Sequence, residues 1–161
     1  MNRRAFMQKT GLIVGGLSAA PLIGSYNSLY GQSVPSNKVK VALIGCRSMG
    51  HGDLSTFLDY PEVECVALCD VDDEWLNKRA ADVEKKSGKR VPNLYKDWRR
   101  VIDNKDVDVV IVGTPDHWHC LPTIHACQAG KDVYVEKPLA NTIEECDLMV
   151  KAARKYNRIV Q

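Results

Sequence analysis

The sequence predicts a doubly wound parallel α/β sheet, and three observations predict it. Short apolar runs rich in β-branched residues alternate with longer stretches whose apolar residues recur at helical spacing. The runs lack polar alternation, as expected for parallel strands covered on both faces. The first run, Val39 to Ile44, enters the turn Gly45-Cys46-Arg47-Ser48-Met49-Gly50, and the second ends in an acid, Asp70, 20 residues past Gly50.

Taken in order, the first 37 residues stand apart from this pattern. Asn2 to Lys9 form a basic stretch, Gly11 to Gly24 a modestly apolar one rich in Gly, Ala and Ser, and Ser25 to Asn37 a polar linker. Arg3-Arg4 followed by Phe6 and Lys9 is similar to a twin-arginine export signal. Ser18-Ala19-Ala20 and Leu29-Tyr30-Gly31 both stand as cleavage sites. The apolar stretch is too short for a comfortable membrane span, so no stable span is expected after processing. The expected location is the periplasm or cell envelope.

The folded domain is expected over residues 38–161. Val39 to Ile44 is the first strand, a helix follows Gly50, and Val63 to Cys69 is the second strand. Acids at Asp72, Asp73 and Glu74 open the next helix, whose stripe is Trp75, Leu76, Ala80 and Val83. The run at 86–89 closes it. Val91 to Tyr95 reads as a short edge strand limited by Pro92, and Asp97 to Ile102 as a short helix. Asp108 to Val112 is a strand, Thr114 to Cys120 a loop, and Leu121 to Ala129 a helix capped by Gly130. Asp132 to Val135 is a further strand. Thr142 with Glu145 forms a capping box before a helix with Ile143, Cys146, Met149, Val150 and Ala153 on its apolar side. Arg158 to Gln161 begins one more strand, giving five or six in all.

Composition narrows the function. With 45% apolar and 26% charged residues, this is an ordinary globular protein. The net charge of +2 comes from Arg3, Arg4 and Lys9, because the first 37 residues contain no acid; the remainder is close to neutral. No basic patch interleaved with aromatics points to nucleic acid. Six cysteines lie in the domain, several on apolar element faces, and free buried thiols are expected. Twin-arginine export fits them, since that route carries proteins already folded in the reducing cytoplasm.

In such sheets ligands bind beyond the carboxyl ends of the strands, and three clusters fall there. Gly45 to Gly50 precedes a helix whose free N–H groups and positive end suit a pyrophosphate, and Asp70 suits a ribose diol. A tight turn that binds nothing would use the same glycines. Arg47 stands where the usual dinucleotide motif has glycine; a wider turn is expected there, with the guanidinium compensating by charge. The second cluster is Thr114-Pro115-Asp116-His117-Trp118-His119-Cys120, read either as a polar loop capping the next helix or as one touching a cofactor. Its histidine and cysteine spacing does not match a common zinc site, and no metal is expected. The third is Glu136-Lys137-Pro138. A lysine at a strand end is often plain surface charge, but here it faces the ligand crevice, where burial could tune it for proton work.

Together the glycine turn, Asp70, Thr114-Pro115-Asp116-His117-Trp118-His119 and Glu136-Lys137-Pro138-Leu139-Ala140 resemble the amino-terminal, Rossmann-like domain of the Gfo/Idh/MocA oxidoreductases, over Lys38 to Gln161. The resemblance implies that Gly45, Cys46, Arg47, Ser48, Met49 and Gly50 cradle a pyrophosphate and that Asp70 holds the adenosine ribose. It implies that Thr114, Pro115, Asp116 and His119 contact the cofactor near its nicotinamide, beside Glu136 and Lys137. Lys137 is the implied catalytic residue, orienting a substrate hydroxyl and assisting proton movement. Asp70, with no arginine beside it, favours NAD over NADP. The implied partner is a small carbohydrate, and the full-length protein is expected to be a homo-oligomer. Family members complete the site from a second, mainly antiparallel domain. The chain closes on an opening strand, so a fragment is expected that binds cofactor weakly and does not turn over substrate. Three functions follow: a sugar or polyol oxidoreductase, a glycoside hydrolase that oxidises its sugar transiently and recycles NAD, or a binding module that kept only the fold.

Overall fold

The computed structural model describes residues 38–161, and the expected export signal and its cleavage sites lie outside them. Five strands form one parallel sheet: β1 (Val39–Ile44), β2 (Val63–Cys69), β3 (Asn93–Tyr95), β4 (Val109–Val112) and β5 (Asp132–Val135). Their order across the sheet is β3-β2-β1-β4-β5. Five helices connect them: α1 (Ser48–Phe57), α2 (Asp73–Ser87), α3 (Trp98–Asp103), α4 (Cys120–Gln128) and α5 (Ile143–Tyr156), with a 3-10 turn at Asp116–Trp118. None of these helices is long and apolar enough to cross a membrane.

The doubly wound layering follows from which strand residues face which helices. Val41, Leu43, Cys65, Leu68 and Ile111 pack with Leu54 of α1 and Leu76 and Val83 of α2. Ala42, Ile44, Val110, Val112, Val133 and Val135 pack on the opposite face with Val101 of α3, Cys127 of α4 and Met149 of α5. Burial on both faces explains the unbroken apolar runs. β1 lies at the centre, with β2 on one side and β4 on the other. The chain therefore reverses its winding direction between β1 and β4, and a crevice opens at their carboxyl ends.

Helix boundaries follow the expected chemistry. Asp72 caps α2 by accepting from the Glu74 N–H at 3.0 Å, and Gly88 ends the helix at φ +69. Asp97 caps α3 by accepting from Arg99 N–H. The Thr142–Glu145 capping box is present in both directions, each bond at 3.2 Å. All six cysteines are free thiols, five of them buried.

One expectation is met in its beginning and another needs correction. Arg158 to Gln161 starts an edge strand beside β5: Ile159 and Gln161 bond to Val133 and Val135 around one parallel bridge, Val133 to Val160. The apolar side of α5 is narrower than its sequence implies. Met149 and Ala152 are buried, Cys146, Ala153 and Tyr156 half-buried, but Val150 is exposed and Ile143 is 84% exposed. At 3.6 residues per turn, Ile143 and Val150 each stand about a quarter to a third of a turn away from Met149, off the stripe that faces α4.

Three glycines fix the junction above the sheet centre. Gly45 ends β1 at φ +89, and a Cβ there would lie 2.7 Å from the backbone of Gly113 and Thr114. A Cβ on Gly50 of α1 would collide with the Gly45 carbonyl, and one on Gly113 with the Gly50 Cα. The helix can begin this close to both strands only without side chains at all three positions. Gly113→Ala is therefore expected to destabilise the protein by about 1–3 kcal/mol. Gly52→Ala, on the same helix with open space around it, is expected to stabilise it by about 0.5–1 kcal/mol. Thermal and denaturant unfolding of the two variants checks both signs.

Candidate functional site

The crevice at the carboxyl ends of the strands has a volume of about 890 Å³ and is lined from all three predicted clusters. At its β1 side, the Gly45 N–H donates to the Cys69 carbonyl at 2.9 Å. The Cys46 N–H donates to Asp70 Oδ2 at 2.8 Å, and the Asp72 N–H donates to Asp70 Oδ1 at 3.0 Å. Asp70 thus ties the β1–α1 turn to the β2–α2 turn. A carboxylate has about four lone-pair positions, so the two oxygens still have capacity for a diol.

The start of α1 is open. Arg47 occupies the cap position but makes no side-chain cap bond, and the first turn carries no acid. Ser48 takes φ +36, a left-handed value rarely adopted by residues other than glycine. Uncapped N–H groups and the positive helix end make this a natural anion seat. The Arg47 guanidinium has another engagement than the one expected for it. It pairs with Asp72 and lies 5.4 Å from the centre of the Trp75 ring. The compensating charge is thereby held at the β2–α2 turn.

The second cluster forms the wall after β4. The Gly113 N–H donates to the Ile44 carbonyl at 2.8 Å, which brings Thr114 beside the glycine turn. Thr114 Oγ1 is shut off from water with no hydrogen-bond partner among the described residues. His117 is exposed on the 3-10 turn, beside Asp116. His119 is only 1% exposed. Its Nε2 lies 2.7 Å from the Thr114 carbonyl and its Nδ1 2.9 Å from the Pro138 carbonyl. Both partners are acceptors, so a neutral ring donates to one of them according to its tautomer and lies against the other. His119 therefore staples the loop after β4 to the loop after β5, with its polar atoms spent on the protein.

The third cluster closes the crevice. The Glu136 N–H donates to the Val112 carbonyl at 3.0 Å, and Glu136 Oε2 accepts from the Lys137 N–H at 3.0 Å. The Lys137–Pro138 peptide bond is cis. Lys137 lines the crevice but is exposed, so the burial expected for its side chain is not found.

Of the residues singled out from sequence, Gly45, Arg47, Ser48, Met49, Asp70, Thr114, Pro115, Asp116, His119, Glu136 and Lys137 all line this one crevice. Cys46 and Gly50 do not; both are buried, Cys46 contributing its backbone N–H and Gly50 the close approach of α1. Burial first, then the Asp70 charge, pushes the Cys46 thiol far above its ordinary range, which makes it a neutral packing group. Gly113 was missed by the sequence reading. Its signal was available, because it follows an apolar strand as Gly45 does. Trp98, at the start of α3, also lines the crevice and is not among the residues singled out from sequence.

The family model described as an oxidoreductase family with an NAD-binding Rossmann fold, GFO_IDH_MocA, matches residues 39–161. Among curated relatives, a glycosyl hydrolase family 109 protein of Shewanella sp. (strain W3-18-1) is 29% identical, and an alpha-N-acetylgalactosaminidase of Shewanella oneidensis is 28% identical. Each alignment covers 98% of this chain and 38% of the relative, so the chain spans well under half the length of these relatives. Among solved structures, an NAD binding oxidoreductase from Klebsiella pneumoniae superposes with a TM-score of 0.64 at 31% identity, over 77% of this chain and 34% of that one. A myo-inositol 2-dehydrogenase from Lactobacillus plantarum gives 0.67 at 28% identity, over 77% and 35%. The WlbA dehydrogenase from Bordetella pertussis, in complex with NADH and UDP-GlcNAcA, gives 0.65 at 25% identity, over 76% and 36%.

The His119 staple is open to test by unfolding. His119→Leu removes the buried ring that bridges the Thr114 and Pro138 carbonyls and leaves one of them without its donor, at about 1–3 kcal/mol. The melting temperature is expected to fall accordingly, whereas His117→Leu, at the exposed neighbour, is expected to leave it unchanged.

Proposed function

The chain belongs to the Gfo/Idh/MocA oxidoreductases, and from that premise we propose that it forms the nucleotide-binding half of an NAD-dependent enzyme passing hydride between the nicotinamide and a sugar, polyol or related carbohydrate. The observation that carries this reading is one crevice shared by an uncapped helix start, the Asp70 carboxylate and the Lys137 amine. The residues present fit a dinucleotide. The junction of Gly45, Gly50 and Gly113 has no room for side chains, and Thr114 Oγ1 still seeks a partner at the crevice wall.

Each residue then has a task that its geometry permits. The N–H groups at the start of α1 receive the pyrophosphate. Asp70 accepts hydrogen bonds from the adenosine ribose diol and repels a 2′-phosphate. The loops stapled by His119 border the nicotinamide end, with Glu136 beside them. Lys137, exposed at the crevice rim, donates a hydrogen bond to the reacting oxygen of the substrate and steadies it as its proton moves. A bound nicotinamide supplies the hydride acceptor, a chemistry that no side chain offers. The carbohydrate class rests on the relatives, a myo-inositol 2-dehydrogenase, a dehydrogenase in complex with UDP-GlcNAcA and an alpha-N-acetylgalactosaminidase among them.

The glycosyl hydrolases among the relatives favour a second reading, hydrolysis of a glycoside; a nucleotide-binding half fits that reaction where the sugar is oxidised transiently and the cofactor recycled in place. We read the first 37 residues as a twin-arginine signal delivering the folded protein to the periplasm or cell envelope, on the strength of Arg3-Arg4 and the acid-free stretch that follows. Cell fractionation of the wild type and of an Arg3→Lys, Arg4→Lys variant tests it: export of the double variant to the same compartment would refute the signal.

Incubation of the intact protein with NAD and a panel of sugars and aryl glycosides separates the two activities. Net formation of reduced cofactor marks the dehydrogenase, and release of the aglycone without net reduction marks the hydrolase. In the same protein NAD is expected to bind at least about tenfold more tightly than NADP, and Asp70→Ala is expected to erase that preference. Lys137→Ala is expected to lower kcat by about 10²–10⁴ with cofactor affinity retained. Isothermal titration and steady-state kinetics check the last two.

A further inference from the structure

Three cations surround the Trp75 ring of α2, and one of them borders the crevice. Lys78 Nζ lies 4.8 Å and Arg79 Cζ 4.9 Å from the ring centre. Arg79 is engaged within the protein: its Nε donates to the Cys46 carbonyl at 3.1 Å and its Nη1 to Asp82 Oδ2 at 2.7 Å. Neither Lys78 nor Arg79 lines the crevice, and nor does Trp75. Arg47 does, with 57% of its side chain exposed. Behind it, Asp72 is fixed at both oxygens, Oδ1 capping α2 and Oδ2 taking the guanidinium. The scheme above gives this braced guanidinium no task of its own.

We propose that the Arg47 guanidinium is the platform on which the purine base of the dinucleotide lies, and not a ligand of its phosphates. The proposal rests on the reading of the crevice as a dinucleotide site. A ribose carries its base and its 5′-phosphate at opposite ends. With the phosphates at the start of α1 and the diol on Asp70, the base falls beyond Asp70. Val71 follows there, lines the crevice and is 80% exposed, an apolar side chain left bare on the wall. Asp72 draws the guanidinium to that same turn.

Charge decides between base and phosphate. Asp70 and Asp72 set two carboxylates against one guanidinium at this turn. A phosphate placed here would meet a net negative neighbourhood, whereas a neutral purine meets none. A carboxylate engages a guanidinium at its N–H edge and leaves its flat faces free. Those faces are weakly hydrated and stack well on aromatic rings. Titration of the intact protein with ADP-ribose and with inorganic pyrophosphate separates the two kinds of contact. Arg47→Ala is expected to weaken ADP-ribose by about three- to tenfold and to leave pyrophosphate unchanged. Retained pyrophosphate binding also reports that the helix start is intact in the variant.

Two further variants sharpen the test. Arg47→Lys keeps the charge without the plane and is expected to lose ADP-ribose affinity as Arg47→Ala does. Asp72→Asn retains a cap for α2 but releases the guanidinium, and adding Arg47→Ala to it is expected to cost less than in the wild type. The ratios between variants are expected to persist at high ionic strength, where a contact made by charge fades. Equal losses for ADP-ribose and pyrophosphate in Arg47→Ala, or full ADP-ribose affinity in Arg47→Lys, would overturn the proposal in favour of a phosphate contact. Wild-type ADP-ribose affinity in every variant would overturn it and leave the dinucleotide reading standing. Absence of ADP-ribose binding by the wild type would refute that reading and the proposal with it.

Discussion

The close contact of three backbone segments at Gly45, Gly50 and Gly113 is the constraint on which the other features depend. It lets α1 start directly above the gap between β1 and β4, the two strands between which the winding reverses. Any side chain at these positions would lift the helix from the sheet. With the helix seated, its free N–H groups open into the crevice, and the Thr114 loop lies against the glycine turn. Asp70 then needs only two backbone bonds to lock the neighbouring turn in register. The chemistry at the rim is thus a consequence of packing at the centre.

Charge is arranged around this seat with a clear division. The helix start is left without an acid and without a cap, while the acids collect at the β2–α2 turn, where Asp70 binds backbone and Asp72 caps α2 and pairs with Arg47. An arginine in a glycine position of the motif would crowd a phosphate if its side chain stayed over the turn. Asp72 and Trp75 draw it to the adjacent one. The guanidinium therefore contributes a brace between two loops.

Much of this was legible in the sequence because the relevant signals are local. Apolar runs without alternation gave the parallel strands, Asp72, Asp97 and Thr142 gave the helix starts, and strand-end positions gathered eleven of the site residues into one crevice. What was not legible depends on contacts distant in the chain. The partner of the Arg47 guanidinium is 25 residues away, and one of the two carbonyls that hold His119 comes from Pro138, 19 residues on. The role of Gly113 was not legible because its neighbour, Gly50, is set by the sheet order. The exposed faces of Ile143 and Val150 were misread because apolar content alone does not say which stripe of α5 meets α4.

The His119 staple has a mechanical consequence. One imidazole joins the segment after β4 to the segment after β5, so these two sides of the crevice behave as a single jaw. A displacement imposed on Thr114 is passed to Pro138, and with it to the neighbouring lysine, through one ring and two short bonds. A ligand seated against either lip would in this way meet a wall braced from both strands.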